Sequence, residues 1–376
     1  MTAEETPASS NNDETTQTQA QTTTEALEWH APVLVRIDEH TTIPHLLKER
    51  VQRGATRPLI LRKIGIGDTW RSITAREFYD EVHTLAAGLI ARGLEPGDRV
   101  AIMSRTRYEW TLLDFACWAA GLVPVPIYET SSIDQVAHVL VDADVHLIIT
   151  ETVSMAEIVR AAAERENRDN THVLSLDSEA IETLIAEGSA TPRERVLARS
   201  EALTKDDIAT IVYTSGTTGT PKGTVLSHEN FTNLCLNAHA WMPEIAAGKD
   251  SRLLLFLPLA HVFARFLQVF QISGNGVLGH ASNIKNLLGD LASFRPSYLL
   301  VVPRVLEKIY NSADTKASGP KRKIFRWAAK VAIAYSQALD TEDGPSASLK
   351  AQHALADKLV YQQIIRLVGG NADYIV

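Results

Sequence analysis

A chain of 376 residues is too long for one simple hydrophobic core and predicts two or more subdomains. Its 45% hydrophobic and 22% charged residues are those of a globular, enzyme-sized protein, and a formal charge of -8 argues against nucleic acid as the main partner. Both cysteines, Cys117 and Cys235, sit in apolar, helix-like surroundings without metal-ligand spacing, which reads as buried thiols in a reducing compartment.

Residues 1–28 contain no Lys or Arg and no apolar run, which excludes a secretory signal. Thr, Gln and acidic residues dominate there, so a disordered tail is expected, with order from about Trp29. "TTIPHLLKERVQRG" predicts a short helix with Thr41 or Thr42 at its start and Gly54 at its end. "RPLILRKIG" and "TWRSIT" predict two strands around a turn. Thr74 and Glu77 form a capping-box signature for a helix with apolar positions Phe78, Val82, Leu85, Leu89 and Ile90. Gly93 and Pro96-Gly97 then lead into a strand.

The same unit returns in "WTLLDFACWAAGLVPVPIY", in "SIDQVAHVLVDADVHLIIT" and in "IVRAAAERENRDNTHVLSL". Helix and strand alternating with short links predict an α/β fold with mostly parallel, doubly wound sheets flanked by helices. Between 181 and 207 the chain turns charged and small, an expected seam between a first subdomain, 29–200, and a second, 201–376. "IATIVYT" predicts a strand and 228–242 a helix with Ser227 as N-cap, followed by strands in "RLLLFLP", "GVLGHA" and "PSYLLVVP". The apolar window 253–274 carries Pro258, His261 and Arg265 in its middle, which a membrane span would not accept.

One stretch buries almost nothing: "YTSGTTGTPKG", residues 213–223. Thr214, Ser215, Thr217, Thr218 and Thr220 offer hydroxyl donors, Gly216, Gly219 and Gly223 let backbone approach closely, and Lys222 supplies a mobile point charge. The expected guest is phosphate, held beyond the carboxyl end of a parallel strand by a loop that runs on to the capped helix at 228. A Walker A loop is excluded, because Pro221 precedes the lysine and Gly223 follows it. A flexible surface loop without a ligand would not account for the strand before, the helix after and the lysine between.

These residues resemble the phosphate-loop signature of the adenylate-forming superfamily, which includes acyl-CoA synthetases, luciferases and peptide-synthetase adenylation domains. "FLPLAHVFAR" (256–265) resembles its second signature, and "VVPRVLEKIYN" (301–311) a segment of the long-chain fatty acyl-CoA ligase branch. "WRSITAREFYDEVHTLAAGLIARGLEPGDRVAIM" resembles the family's N-terminal helix and strand, and the likeness extends over about 29–376. It implies the N-terminal domain of the adenylate-forming fold and a two-step reaction, in which ATP activates a long-chain fatty acid to acyl-AMP and coenzyme A takes the acyl group. By the family pattern Thr214, Ser215, Gly216, Thr217, Thr218, Gly219 and Lys222 surround the ATP phosphates, and the Thr214 hydroxyl contacts Mg²⁺. His261 would lie beside the acyl chain and adenylate, making it and Lys222 the catalytic candidates.

Other residues stay open or read as structural. A histidine within an apolar segment is ordinarily a core residue, and Arg265 fits a phosphate contact and a structural role equally well. Arg304 and Glu307 read as charges at a helix start after Pro303. The basic stretch 316–335, with Phe325 and Trp327 interleaved, reads as a solvated helix face, with a peripheral contact at the inner face of a membrane as the alternative to a wholly cytoplasmic protein.

The chain stops at "GGNADYIV", which reads as a strand just begun. Family members continue to a Tyr-Gly-x-Thr-Glu segment, a ribose-gripping aspartate, a hinge and a small domain with a further lysine, and 224–376 contains none of these. The expectation is an N-terminal portion truncated before completion, inactive or impaired by itself. Two other classes are a non-catalytic acyl- or nucleotide-binding module and an acyl-AMP ligase serving a carrier protein, against which "PRVLEKIYN" leans.

Overall fold

The computed structural model describes residues 32–376 apart from 66, 169, 215–219, 247, 249, 250, 302 and 376, so the expected tail and Trp29 lie outside it. All elements below belong to the unit Leu34–Val376. Helix α1 (Ile43–Gly54) begins at Thr42, whose hydroxyl accepts from the His45 amide. Strands β1 (Pro58–Lys63) and β2 (Trp70–Thr74) pair antiparallel. The Thr74–Glu77 capping box then starts α2 (Ala75–Ala91), with both reciprocal hydrogen bonds formed.

The repeated units become β3 (Arg99–Met103), α3 (Tyr108–Ala119), β4 (Val123–Ile127), α4 (Ile133–Asp142), β5 (Val145–Thr150), α5 (Val153–Arg165) and β6 (His172–Ser175). Their strands form a wholly parallel sheet in the order β4-β3-β5-β6, the doubly wound arrangement expected. Both faces are covered, which is why these strands read as continuous apolar runs. Val100, Ile102, Leu147 and Ile149 join the core of α2 and α3, while Ala101, Met103 and Ile148 pack with Val136 and Leu140 of α4 and Val159 of α5. Gly121 makes the turn into β4 at a φ of +76°, where a side chain would be strained.

The stretch 181–207 is largely helical, with α6 (Ala180–Gly188) and α7 (Arg193–Ala202). Helices α2 and α6 touch backbone to backbone: a Cβ on Gly88 would lie 2.0 Å from the Leu184 carbonyl oxygen.

The glycine–threonine stretch departs from the expected strand–loop–helix. The strand β7 (Ile208–Thr214) does not lead through a loop straight to a helix. Residues Lys222–Ser227 are themselves a strand, β8, paired antiparallel with β7, and α8 (His228–Trp241) begins after it with Ser227 capping as expected. Nor does β7 extend the parallel sheet. Strand β4 turns toward it Pro124 and Pro126, which have no N–H to give a ladder. Side chains dock the two instead: Thr210 Oγ1 donates to the Pro124 carbonyl at 2.6 Å, and the Trp118 indole to that of Ala209 at 2.7 Å.

The remainder comprises α9 (Pro243–Ala246), β9 (Arg252–Leu255), α10 (Val262–Ser273), β10 (Val277–His280), α11 (Leu287–Phe294), β11 (Tyr298–Leu299), α12 (Pro303–Lys316), α13 (Gly319–Leu339), α14 (Ala347–Ala356), α15 (Gln362–Leu367) and β12 (Tyr374–Ile375). A second sheet has the order β2-β1-β10-β9 and so draws strands from both sides of residue 200. "PSYLLVVP" contributes just Tyr298 and Leu299, paired parallel with β12. The apolar window 253–274 divides between β9 and α10, and among the described residues no helix is long and apolar enough to cross a membrane. Cys117 and Cys235 are free and buried, and burial pushes both thiols up.

Candidate functional site

The register of β7 and β8 sets Thr214 directly across from Lys222, and Tyr213 across from Gly223. Ser215, Gly216, Thr217, Thr218 and Gly219 lie outside the described residues, so the site is built from the feet of the hairpin. Lys222 is exposed there. Gly223 is required by packing, since a Cβ at this position would meet Ile211 Cγ2 at 2.8 Å.

Helix α4 lies against both feet. Its His138 Nε2 is 2.7 Å from the Pro221 carbonyl, and its Asp142 accepts from the Tyr213 hydroxyl at 2.6 Å. The two rings meet edge to face with centroids 5.7 Å apart. Burial, and next Asp142, push the Tyr213 phenol up, so it keeps its proton and remains the donor.

A cleft of about 370 Å³ opens beside these feet, lined among others by Tyr128, Ser131, Gln135, Thr214, Pro221 and His261. Thr214 and His261, which come from two separate sequence stretches, thus share one space. His261 is no core residue: it is exposed and serves as N-cap of α10, its Nδ1 accepting from the Phe263 amide at 3.2 Å. With Nδ1 accepting, a neutral ring carries its proton on Nε2, which leaves that N–H to donate elsewhere.

Arg265, one turn further along α10, is wholly buried, and its open reading resolves to the structural one. Its Nη2 lies 2.7 Å from Asp114 Oδ1, Nη1 donates to Thr210, and the guanidinium stands 5.5 Å from the Trp118 ring centroid. Asp114 also accepts from Gln268 at 2.9 Å. The pair therefore ties α3, α10 and β7 together behind the cleft. Arg304 and Glu307 are exposed near the start of α12, and Lys321, Lys323 and Lys330 are exposed on α13, while Phe325 is buried and Trp327 half-buried beneath.

Sequence reasoning passed over His138 and Asp142; their four-residue spacing on α4 was the available signal. It also passed over a charged cleft of about 390 Å³ at the carboxyl ends of β3 and β5. There Arg105 pairs with Glu151, Arg107 and Arg62 with Glu109, and Lys63 with Asp290. Burial alone would raise the Glu151 carboxyl, yet hydrogen bonds from Arg105 and the charge of Arg107 hold it below its usual range. Four cations thus meet three largely buried carboxylates, with Glu109 shared by Arg62 and Arg107, and these ion pairs tie the two sheets together.

The chain is 39% identical over 343 residues to the long-chain-fatty-acid–CoA ligase FadD15 of Mycobacterium bovis, a match covering 90% of this chain and 56% of that protein. It is 30% identical to the long-chain-fatty-acid–CoA ligase ACSBG2 of Rattus norvegicus, covering 79% of this chain and 48% of that one. The chain thus spans about half the length of the curated relatives it matches. A solved fatty acyl CoA synthetase of Mycobacterium tuberculosis superposes with a TM-score of 0.59 at 23% identity, over 72% of this chain and 51% of that one, a likeness of fold. Residues 47–353, which include β7, β8 and His261, match the AMP-binding enzyme family along their whole run, and the chain belongs to that family.

Proposed function

We propose that the protein activates a long-chain fatty acid with ATP and passes the acyl group to coenzyme A. The observation that carries this reading is the meeting of Thr214 and His261, from the two resembling stretches, in one cleft at the foot of the hairpin. The names of the curated relatives support the choice of acid and acceptor, and do not favour a carrier protein.

In the first step a fatty-acid carboxylate oxygen bonds to the α-phosphorus of ATP, and the bond to pyrophosphate breaks. In the second, the coenzyme A sulfur attacks the acyl carbonyl carbon, the thiol proton leaves and AMP departs. Hydroxyls and amides of Thr214, Ser215, Gly216, Thr217, Thr218 and Gly219 hold the phosphates in this reading. The Lys222 ammonium offsets charge gathering on the leaving pyrophosphate. His261 Nε2–H donates toward the acyl-adenylate oxygens.

The Thr214 hydroxyl, an oxygen donor lining the cleft, would be this chain's contact with Mg²⁺. When bound it neutralises phosphate charge.

Incubation of the purified protein with palmitate, ATP, Mg²⁺ and coenzyme A, followed by mass spectrometry, tests the reading. AMP and palmitoyl-CoA are expected in equal amounts but at a rate far below that of the relatives, about half of whose length this chain spans, in keeping with the impaired activity expected of these residues by themselves. Nucleotide binding with neither product would favour the binding-module reading.

A further inference from the structure

We infer that His138 and Asp142 of α4 are positioning residues for the nucleotide, gripping the two feet of the β7–β8 hairpin so that Thr214 and Lys222 address the same ligand. The inference rests on the nucleotide reading above. It adds a second element, outside the glycine–threonine stretch, on which that site depends.

The two side chains are four residues apart and so lie on one face of α4. His138 holds the carbonyl of Pro221, the residue before Lys222, and Asp142 holds the hydroxyl of Tyr213, the residue before Thr214. Proline has no N–H, so its carbonyl is the one backbone hydrogen-bonding group it offers, and that group is committed outward to α4. The edge-to-face contact of the Tyr213 and His138 rings couples the two grips.

Core packing of Ala209, Ile211 and Val212 holds the body of β7, but among the described residues the side-chain hydrogen bonds at the feet come from α4. The hairpin's ladder fixes which residues face each other but not how the pair is tilted over the cleft, and a two-stranded hairpin is marginal by itself. Strand β4 gives no amide from Pro124 or Pro126 to hold it, and the docking bonds of Ala209 and Thr210 lie at the far end of β7 from the feet. Helix α4 also sends Gln135 into the same cleft as Thr214, so helix and hairpin share one ligand-facing wall. A lysine ammonium and a threonine hydroxyl act together on a phosphate only when both are held in place, and the helix supplies that hold.

The test is calorimetric titration of Mg-ATP into the protein and its His138→Ala, His138→Gln and Tyr213→Phe variants, with thermal midpoints measured in parallel. His138→Ala and Tyr213→Phe should each weaken ATP binding roughly three- to tenfold, the loss of one hydrogen bond. His138→Gln, whose amide N–H can reach the same carbonyl, should recover most of it, which a merely structural histidine would not predict. Unchanged ATP affinity in a folded His138→Ala variant overturns the inference. Should that variant not fold, Tyr213→Phe, which deletes a single hydroxyl, decides by the same criterion. Failure of the unsubstituted protein to bind ATP overturns the nucleotide reading and this inference with it, whereas binding that the variants leave intact overturns this inference alone.

Discussion

Arg265 and Asp114 face each other at 0% and 1% side-chain exposure, and their hydrogen bonds reach Thr210 and Gln268. Removing one partner would strand the other charge in a medium that cannot solvate it. Arg265→Ala or Asp114→Ala is therefore expected to cost about 3–5 kcal/mol in urea unfolding. The double replacement Arg265→Met with Asp114→Leu should cost clearly less than either single change, because no orphan charge remains. A double variant as unstable as the singles would contradict this account. The sequence left Arg265 undecided for a physical reason: a guanidinium beside a suspected anion site suits either role, and its carboxylate lies 151 positions earlier in the chain. His261 is a helix cap and a cleft residue at once, and its likeness to the second signature was what pointed to the cleft.

Helices were legible where their signals were local. Thr74 with Glu77 and Ser227 with Asn230 close their boxes within one turn, so capping chemistry located both starts. Strand β8 was hidden because "KGTVLS" follows a run of glycine and threonine and is too short to show its own alternation. Strand β11 is two residues long, and its pairing with β12 carries no local mark at all. The contact of α2 with α6 was equally silent, though it imposes a sharp requirement. Gly88→Ala would drive a methyl into the Leu184 carbonyl and should cost about 1–3 kcal/mol in thermal or urea unfolding. Gly289→Ala, exposed in α11 with nothing within 4 Å of the new atom, should be neutral or gain up to about 1 kcal/mol. Equal effects at the two positions would mean that backbone contact is not what fixes Gly88.

Among the described residues burial lowers four imidazoles, those of His83, His228, His239 and His280, and it lowers His228 and His280 furthest. His228 accepts from the Ile43 amide at the start of α1, and His280 meets Thr111 at 2.7 Å; burial lowers both to about 4. Unfolded histidine titrates near 6.5, so between pH 6.5 and about 4 the unfolded chain binds more protons and stability must fall as pH falls. Each residue should contribute a loss of about 3 kcal/mol over that window. Urea midpoints measured from pH 7 to 4.5 should decline, and His228→Asn should flatten the slope. A level profile would sink the assignment. The doubly wound sheet was legible because each of its helix–strand units is contiguous, whereas nothing in "RPLILRKIG" names its neighbour. That neighbour has a consequence for synthesis on the ribosome. Ile60 pairs with Leu278, so β1 emerges with one edge unmatched and waits while some 200 further residues are made, roughly 10–40 s at ordinary elongation rates. Strands β3 to β6 meet no such delay, and the nascent chain can close its parallel sheet first while β1 remains the segment that a chaperone would have most reason to cover.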